Sequence, residues 1–465
     1  MQFSTVNPAN DQVLKKYLFH SDSERHEMLA RLQASYQEWT NSQICERQKF
    51  LLILSELLLK YKEALAQQIS LEMGKALVES YAEVEKSASA VKYYANHAEE
   101  LLFPDFVSKQ GDITNASQGQ VKAETQTQIQ LASSGIILAI MPWNFPLWQL
   151  IRCAIPSFLL GNVVLLKHSE ITAGVAELIV SLMNEAYDKL GGKGKLIENL
   201  RWTHSQTETL ISDRRIKAVS FTGSLRGGSQ VAALAGKYLK KSVMELGGSD
   251  PYLVLSDADL DQATELCANS RLLNAGQSCV AAKRFFVHES LYSDFLHLMK
   301  IKFEKMRIGD PLSLETQMGP LAHLRFKEQL LLQVKELKGK CFYQRSEFSS
   351  SGAFFSPRVF EMETQSELWI EELFGPVACV WKFREESEAL AQANNTIFGL
   401  GAAVFSQDLN RAKKIASQLE CGMVAINDMV KSDVRLPFGG IKDSGYGREL
   451  SKQGLQEFAN IKTIG

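Results

Sequence analysis

Three polar residues in this chain have the types and neighbours needed for one nucleophilic site. Cys279 closes the segment Asn274-Ala275-Gly276-Gln277-Ser278-Cys279. Upstream of it, Glu245 heads the segment Glu245-Leu246-Gly247-Gly248. Asn144 sits in Pro142-Trp143-Asn144-Phe145-Pro146. A thiol that attacks a carbonyl needs a base to move protons and a donor for the negative charge that develops on oxygen. Cys279, Glu245 and Asn144 would meet those three needs. Each also has a plain reading when taken alone: a buried inert cysteine, a strand-end carboxylate in water, and a turn amide between prolines.

Such residues need rigid elements to aim them. Residues 48–70 and 76–100 show helical apolar spacing, as in Phe50, Leu51, Ile53, Leu54, Leu57 and Leu58. Residues 121–129 alternate and are rich in threonine, which predicts an exposed strand or hairpin. From residue 135 short apolar runs alternate with helical stretches. The runs are 136–141, 163–166, 217–221 and 243–246, with helices predicted near 172–189 and 226–239. This is the pattern of βαβ units around a parallel sheet buried on both faces. A second series follows Gly248. Its helices fall near 259–273, 290–306, 323–338, 385–395 and 408–419, and its strands at 284–287, 377–383, 402–405 and 423–426. The stretch 131–151 is uncharged and about the length of a membrane span, but Pro142, Asn144 and Pro146 interrupt it. A buried strand followed by an irregular loop is expected there.

Composition narrows the function classes. The 465 residues allow two or three domains. A hydrophobic fraction of 45% with 22% charged residues is that of a soluble globular protein. A net charge of −2 gives no electrostatic reason to expect nucleic acid or an anionic membrane as partner. Seven scattered cysteines, with no Cys-x-x-Cys pair, argue against a disulfide framework and against a metal site. The N-terminus lacks a basic segment followed by an apolar run, so a reducing, cytoplasmic setting is expected.

Taken together, the segments around Cys279, Glu245 and Asn144 resemble the aldehyde dehydrogenase superfamily, over nearly the whole chain. The resemblance implies an α/β fold with a Rossmann-like dinucleotide domain (1–115 and 132–246), an α/β catalytic domain (247–441) and a small β oligomerisation flap (116–131 and 452–465). It implies a homodimer or homotetramer. It casts Cys279 as nucleophile, Asn144 and the Cys279 N–H as oxyanion donors, and Glu245 as base for deacylation. Phe221-Thr222-Gly223-Ser224, with Gly228 closing a Gly-x-x-x-x-Gly, resembles the pyrophosphate turn of that family, where a glycine-bearing helix N-terminus suits phosphate. In the same way Trp143, Lys167, Ser169 and Glu170 would contact the cofactor, Lys167 and Glu170 at the adenosine ribose. Glu372 would bind the nicotinamide ribose, with Phe374 beside it. The implied cofactor is NAD, because Glu170 would repel a 2′-phosphate, with NADP as the alternative. Two departures stand out: His168 replaces the usual proline between Lys167 and Ser169, and Val280-Ala281-Ala282 puts no second cysteine beside Cys279. The run from Pro437 to Glu449 reads as structural.

The substrate reading rests on arginines. Arg152 follows the Pro142–Pro146 segment, at a position that faces substrate in the family, and Arg435 lies just before Pro437. Either would hold the far carboxylate of a semialdehyde through a charge-assisted pair. Arg271 is a weaker third candidate, and Leu273 stands where some relatives carry a further arginine. The segments 248–251, 281–285 and 432–435 are most similar to a bacterial succinic semialdehyde dehydrogenase subgroup. Glutaric semialdehyde or a medium-chain aldehyde is the rival substrate. A cysteine hydrolase is the rival enzyme class, which the dinucleotide motifs disfavour.

Overall fold

Uninterrupted apolar runs such as Ile136–Met141 and residues 163–166 of the strand Val163–His168 have no polar face, so they must be covered on both sides. In the computed structural model every residue of both strands is buried. The structure describes residues 1–108, 126–346, 348, 351–363 and 371–465. The two strands are neighbours inside a six-stranded sheet with the order Gly445–Tyr446, Lys241–Glu245, Ile216–Thr222, Ile136–Met141, Val163–His168 and Ile197–Asn199. All neighbours are parallel except the edge strand Gly445–Tyr446, which runs antiparallel to Lys241–Glu245.

The second series builds a seven-stranded sheet. Its order is Gly339–Gln344, Arg358–Met362, Val377–Phe383, Ala282–His288, Asp250–Val254, Gly401–Phe405 and Met423–Ile426. Only the pairing of Gly339–Gln344 is antiparallel. Each large sheet anchors its own core cluster. The C-terminal residues Phe438, Leu450, Leu455 and Phe458 belong to the first core, so the chain returns there after the second sheet. A third sheet is antiparallel and joins Asp105–Ser108, Gln126–Ser133 and Ala459–Ile464. Residues 116–125 of the expected flap lie outside the described residues.

Several expectations are corrected. The irregular loop expected within 131–151 is short, because a helix begins at Pro146 and runs to Leu160. Proline suits the first helical position, where its missing N–H has no partner to lose. The single helix read across 48–70 is two, Ile44–Lys60 and Lys62–Met73, separated at Tyr61. The strand Asp250–Val254, the N-terminal hairpin Gln2–Asn7 with Gln12–Leu18, and the helix Asp22–Trp39 were not predicted. Among the described residues no helix is long and apolar enough to cross a membrane, and no cluster of side chains could hold a metal ion.

Candidate active site

Cys279 follows a tight turn between the helix Leu260–Leu272 and the strand Ala282–His288. Asn274, Ala275 and Gly276 all have left-handed φ, at 52°, 53° and 73°. Two of them are not glycine, so the turn is strained and needs outside support. That support is polar. Glu79 accepts the Asn274 N–H at 3.1 Å, the Asn274 side chain donates to the Asn144 carbonyl at 2.8 Å, and Arg271 Nη2 donates to the Gly276 carbonyl at 2.5 Å. Arg271 is therefore part of the turn's support. Behind the sulfur, Lys283 Nζ donates to the Cys279 carbonyl at 2.8 Å and pairs with Glu372 Oε1 at 3.1 Å. Burial pushes the Cys279 thiol up to about 12, against the opposing charge of Arg152.

Asn144 lies on the loop before the helix at Pro146, next to Cys279. One Nδ2 hydrogen goes to the Gln277 carbonyl at 3.1 Å, and an amide keeps a second hydrogen to donate. Glu83 fixes the start of that helix by accepting the Leu147 and Trp148 N–H groups, each at 3.0 Å. His168 ties the same loop down from the neighbouring strand. Its Nε2 donates to the Pro146 carbonyl at 3.1 Å, and its Nδ1 accepts from Thr172 Oγ1 at 3.1 Å. Burial pushes His168 down to about 4, which keeps it neutral in this role.

Glu245 ends the strand Lys241–Glu245, and neither of its buried oxygens has a hydrogen-bond partner. Burial, then the charge of Glu449, hold its carboxyl well above the usual range, with Arg152 and Arg448 opposing. Arg152 does not stand free for a ligand. Its Nε lies 2.7 Å from Glu449 Oε2, its Nη2 donates to Gln149 Oε1, and its guanidinium carbon sits 4.4 Å from the Phe438 ring centroid.

Cys279 opens onto two spaces. The larger is a cleft of about 480 Å³ whose lining includes Asn144, Trp143, Gly223, Ser224, Glu372 and Phe374. Trp143 stacks on Phe326 at 4.8 Å and meets Phe374 edge-on at 5.8 Å, making an aromatic wall. The helix Leu225–Lys237 points its N-terminus at the cleft, capped by Ser224. A Cβ on Gly223 would meet the Phe221 ring at 2.8 Å, and one on Gly247 would meet Glu372 Oε2 at 2.5 Å. These residues fit a dinucleotide: glycines give close backbone approach, the helix start suits phosphate, and Glu372 can accept from a ribose hydroxyl. Lys167, Ser169 and Glu170 lie outside this lining; Ser169 and Glu170 border a separate small cavity with Phe3 and Arg201.

Residues 1–464, all but the last of the chain, match the aldehyde dehydrogenase family. The chain belongs to that family. Among curated relatives, a succinate-semialdehyde dehydrogenase [NADP(+)] of Deinococcus radiodurans is 39% identical, over 99% of this chain and 94% of the relative. The corresponding enzyme 1 of Mycobacterium tuberculosis is 36% identical, over 100% and 99%. The solved succinic semialdehyde dehydrogenase of Streptococcus pyogenes, in complex with NADP+, superposes with a TM-score of 0.93 at 34% identity, covering 100% of this chain and 99% of that one. This aldehyde dehydrogenase is thus an oxidoreductase that acts on an aldehyde with a nicotinamide dinucleotide.

The second space is the smaller, about 210 Å³, and its lining includes Cys279, Phe145, Trp148, Arg152, Leu273, Lys86, Lys431, Ser432 and Phe438. Arg435 is corrected here. It is not in this lining; it is exposed and held by Asp433 at 2.6 Å. Its partner is two residues away in sequence, so the pair closes locally on the surface. Sequence reasoning missed Glu449, Lys283, Glu83 and Lys86. Glu449 and Lys283 lie in segments that were read as structural or as family markers, and nothing in those segments announces a partner. Glu83 and Lys86 belong to the periodic pattern of a helix.

Proposed function

We propose that this enzyme oxidises succinic semialdehyde to succinate through a covalent Cys279 intermediate. The observation that carries the substrate reading is the small cavity beside Cys279, where the Lys86 ammonium stands between apolar walls beside Arg152, paired to Glu449, and Lys431, paired to Asp428. The names of the relatives support the same substrate.

The steps follow from the residues. Cys279 gives its thiol proton to solvent, its sulfur attacks the aldehyde carbon, and the carbonyl oxygen becomes an oxyanion held by Asn144 Nδ2 and the Cys279 N–H. One such donor is worth roughly 3–4 kcal/mol. Collapse of this thiohemiacetal, with loss of hydride, leaves a thioester on Cys279; a nicotinamide held in the cleft lined by Trp143, Gly223, Glu372 and Phe374 would supply the hydride acceptor. Glu245 then takes a proton from water, the oxygen attacks the thioester carbonyl, and the sulfur departs. Burial holds the Glu245 carboxyl above the usual carboxylate range, which makes its carboxylate a stronger proton acceptor.

For domain roles, we assign the six-stranded sheet to cofactor binding, the seven-stranded sheet to presentation of Cys279, and the antiparallel sheet with Ala459–Ile464 to oligomerisation. The cofactor has opposed supports. Glu170 favours NAD. The relatives carry NADP(+) in their names, and Lys167, Glu170 and Arg325 all act on His204, so cations share the ground around Glu170. We infer that NADP is used at least as well as NAD. The test is initial rates with succinic semialdehyde, glutaric semialdehyde, butanal and pentanal, each with NAD and NADP. A wild-type preference for the neutral aldehydes would overturn the substrate assignment.

A further inference from the structure

Lys86 stands on the helix Leu77–Asn96 and lines the small cavity together with Cys279. The residue as a whole is exposed, but its ammonium is packed against Ser432 and Trp148. Its Nζ donates to Ser432 Oγ at 2.7 Å and lies 4.6 Å from the Trp148 ring centroid. Among the described residues no carboxylate forms an ion pair with it. The two acids that act on it electrostatically, Glu83 and Asp433, are bound elsewhere, to Lys75 and to Arg435. Ser432 Oγ accepts a second bond, from Trp148 Nε1 at 3.1 Å. A hydroxyl that accepts twice still has its own hydrogen to donate. An ammonium and a hydroxyl thus face the cavity with donors to spare, and Arg152 is already committed to Glu449.

We propose that Lys86, with Ser432 Oγ, binds the far carboxylate of the aldehyde substrate; this deepens the succinic semialdehyde reading and rests on it. Phe145, Trp148, Leu273, Val430 and Phe438 supply apolar walls for the methylenes. The arrangement selects a short aldehyde that carries an anion at its other end. A pH signature follows. Desolvation, then the charge of Arg152, push Lys86 down to about 8, with Lys431 acting the same way and Glu83 and Asp433 opposing. Glu79, also in the lining, is pushed up by burial to about 7. Lys86 is charged below its pKa, so carboxylate recognition is present there and is lost as pH rises through about 8.

The test is the ratio of kcat/KM for succinic semialdehyde to that for butanal, from about pH 6 to 10, in wild type, Lys86→Met and Lys86→Arg. The ratio cancels titrations of Cys279 and Glu245, which both substrates share. Lys86→Met should lower the ratio roughly 10- to 150-fold near neutral pH, the span expected for one hydrogen bond to a charged group. Butanal should lose far less, which also reports that the variant folds. The fall of the ratio above about pH 8 should vanish in Lys86→Met and move upward in Lys86→Arg, whose guanidinium stays charged. Equal losses on both aldehydes, or an unchanged ratio, would overturn the assignment of Lys86. A second arm measures succinate, glutarate and adipate as inhibitors of butanal oxidation. If wild type prefers butanal but a dicarboxylate inhibits and Lys86→Met relieves it, Lys86 keeps its role and the succinic semialdehyde reading falls. If wild type prefers butanal and no dicarboxylate inhibits through Lys86, both fall.

Discussion

Arg152→Met removes half of a buried ion pair. Arg152 Nε and Glu449 Oε2 are 2.7 Å apart, with side chains 2% and 1% exposed. Without the guanidinium, Glu449 keeps a buried carboxylate, and neither of its oxygens has a hydrogen-bond partner to replace it. Breaking such a pair from one side costs roughly 3–5 kcal/mol. Glu449 can limit the loss by taking up a proton, because burial already holds its carboxyl above the usual range. An acid whose folded pKa is raised favours the folded state at low pH and loses that advantage as pH rises toward the folded value. The destabilisation should therefore grow with pH. Glu449→Gln in the same chain removes the stranded charge, so the double variant should recover most of the loss. The coupling should fall toward the upper part of the range of about 0.5–3 kcal/mol seen for contacting residues. The assay is urea unfolding where it reverses, and the rate of thermal inactivation where it does not. Because Arg152 also opposes the upward shift of the Cys279 thiol, the variant should slow butanal and succinic semialdehyde alike. Additive losses in the double variant, or a kinetic loss confined to the carboxylated aldehyde, would refute this reasoning and return Arg152 to the role of substrate clamp.

Cys279→Ala should lose dehydrogenase activity by orders of magnitude and still bind dinucleotide in a fluorescence titration, whereas Glu245→Gln should give a burst of reduced cofactor and then a low steady rate; full turnover in either variant would count against its assignment. Glu170→Gln should raise the NADP-to-NAD ratio of kcat/KM by about fivefold, the effect of removing roughly 1 kcal/mol of like-charge repulsion; an unmoved ratio would take Glu170 out of cofactor choice. All seven cysteines are free, and Val280-Ala281-Ala282 offers no neighbouring thiol. Prolonged peroxide should therefore carry Cys279 beyond the state that dithiothreitol restores, and full recovery with a mapped Cys279 disulfide would contradict this.

The fold was largely legible because parallel strands buried on both faces are continuous apolar runs. The strands Val377–Phe383 and Met423–Ile426 have the bounds that the runs predict. The N-terminal hairpin escaped because its second strand, Gln12–Leu18, is almost wholly exposed and carries no buried alternation. The segments holding Cys279, Asn144 and Glu372 were readable because glycines, prolines and amides flank them in sequence. Their supports were not. Arg152 and Glu449 meet only because the C-terminal segment folds back onto the first core, and each alone looks like an ordinary charge. Lys86 has the spacing of a solvated helix face. What sets it apart is the Ser432 and Trp148 partners brought by other parts of the chain.

Cys279 stands between two compartments, and among the described residues their linings share Cys279 and Gln149 alone. Mutations that reshape the smaller compartment, the one proposed for the aldehyde, at Leu273 or Lys86 for example, touch no wall of the larger one, proposed for the cofactor. Substrate range can therefore drift through single substitutions without a matching change in cofactor use. Gln149 is the exception. It borders both spaces, accepts from Arg152, and lies within weak hydrogen-bonding reach of Asn144, at 3.5 Å. It is the residue at which evolution, or a designer, cannot change one specificity without disturbing the other.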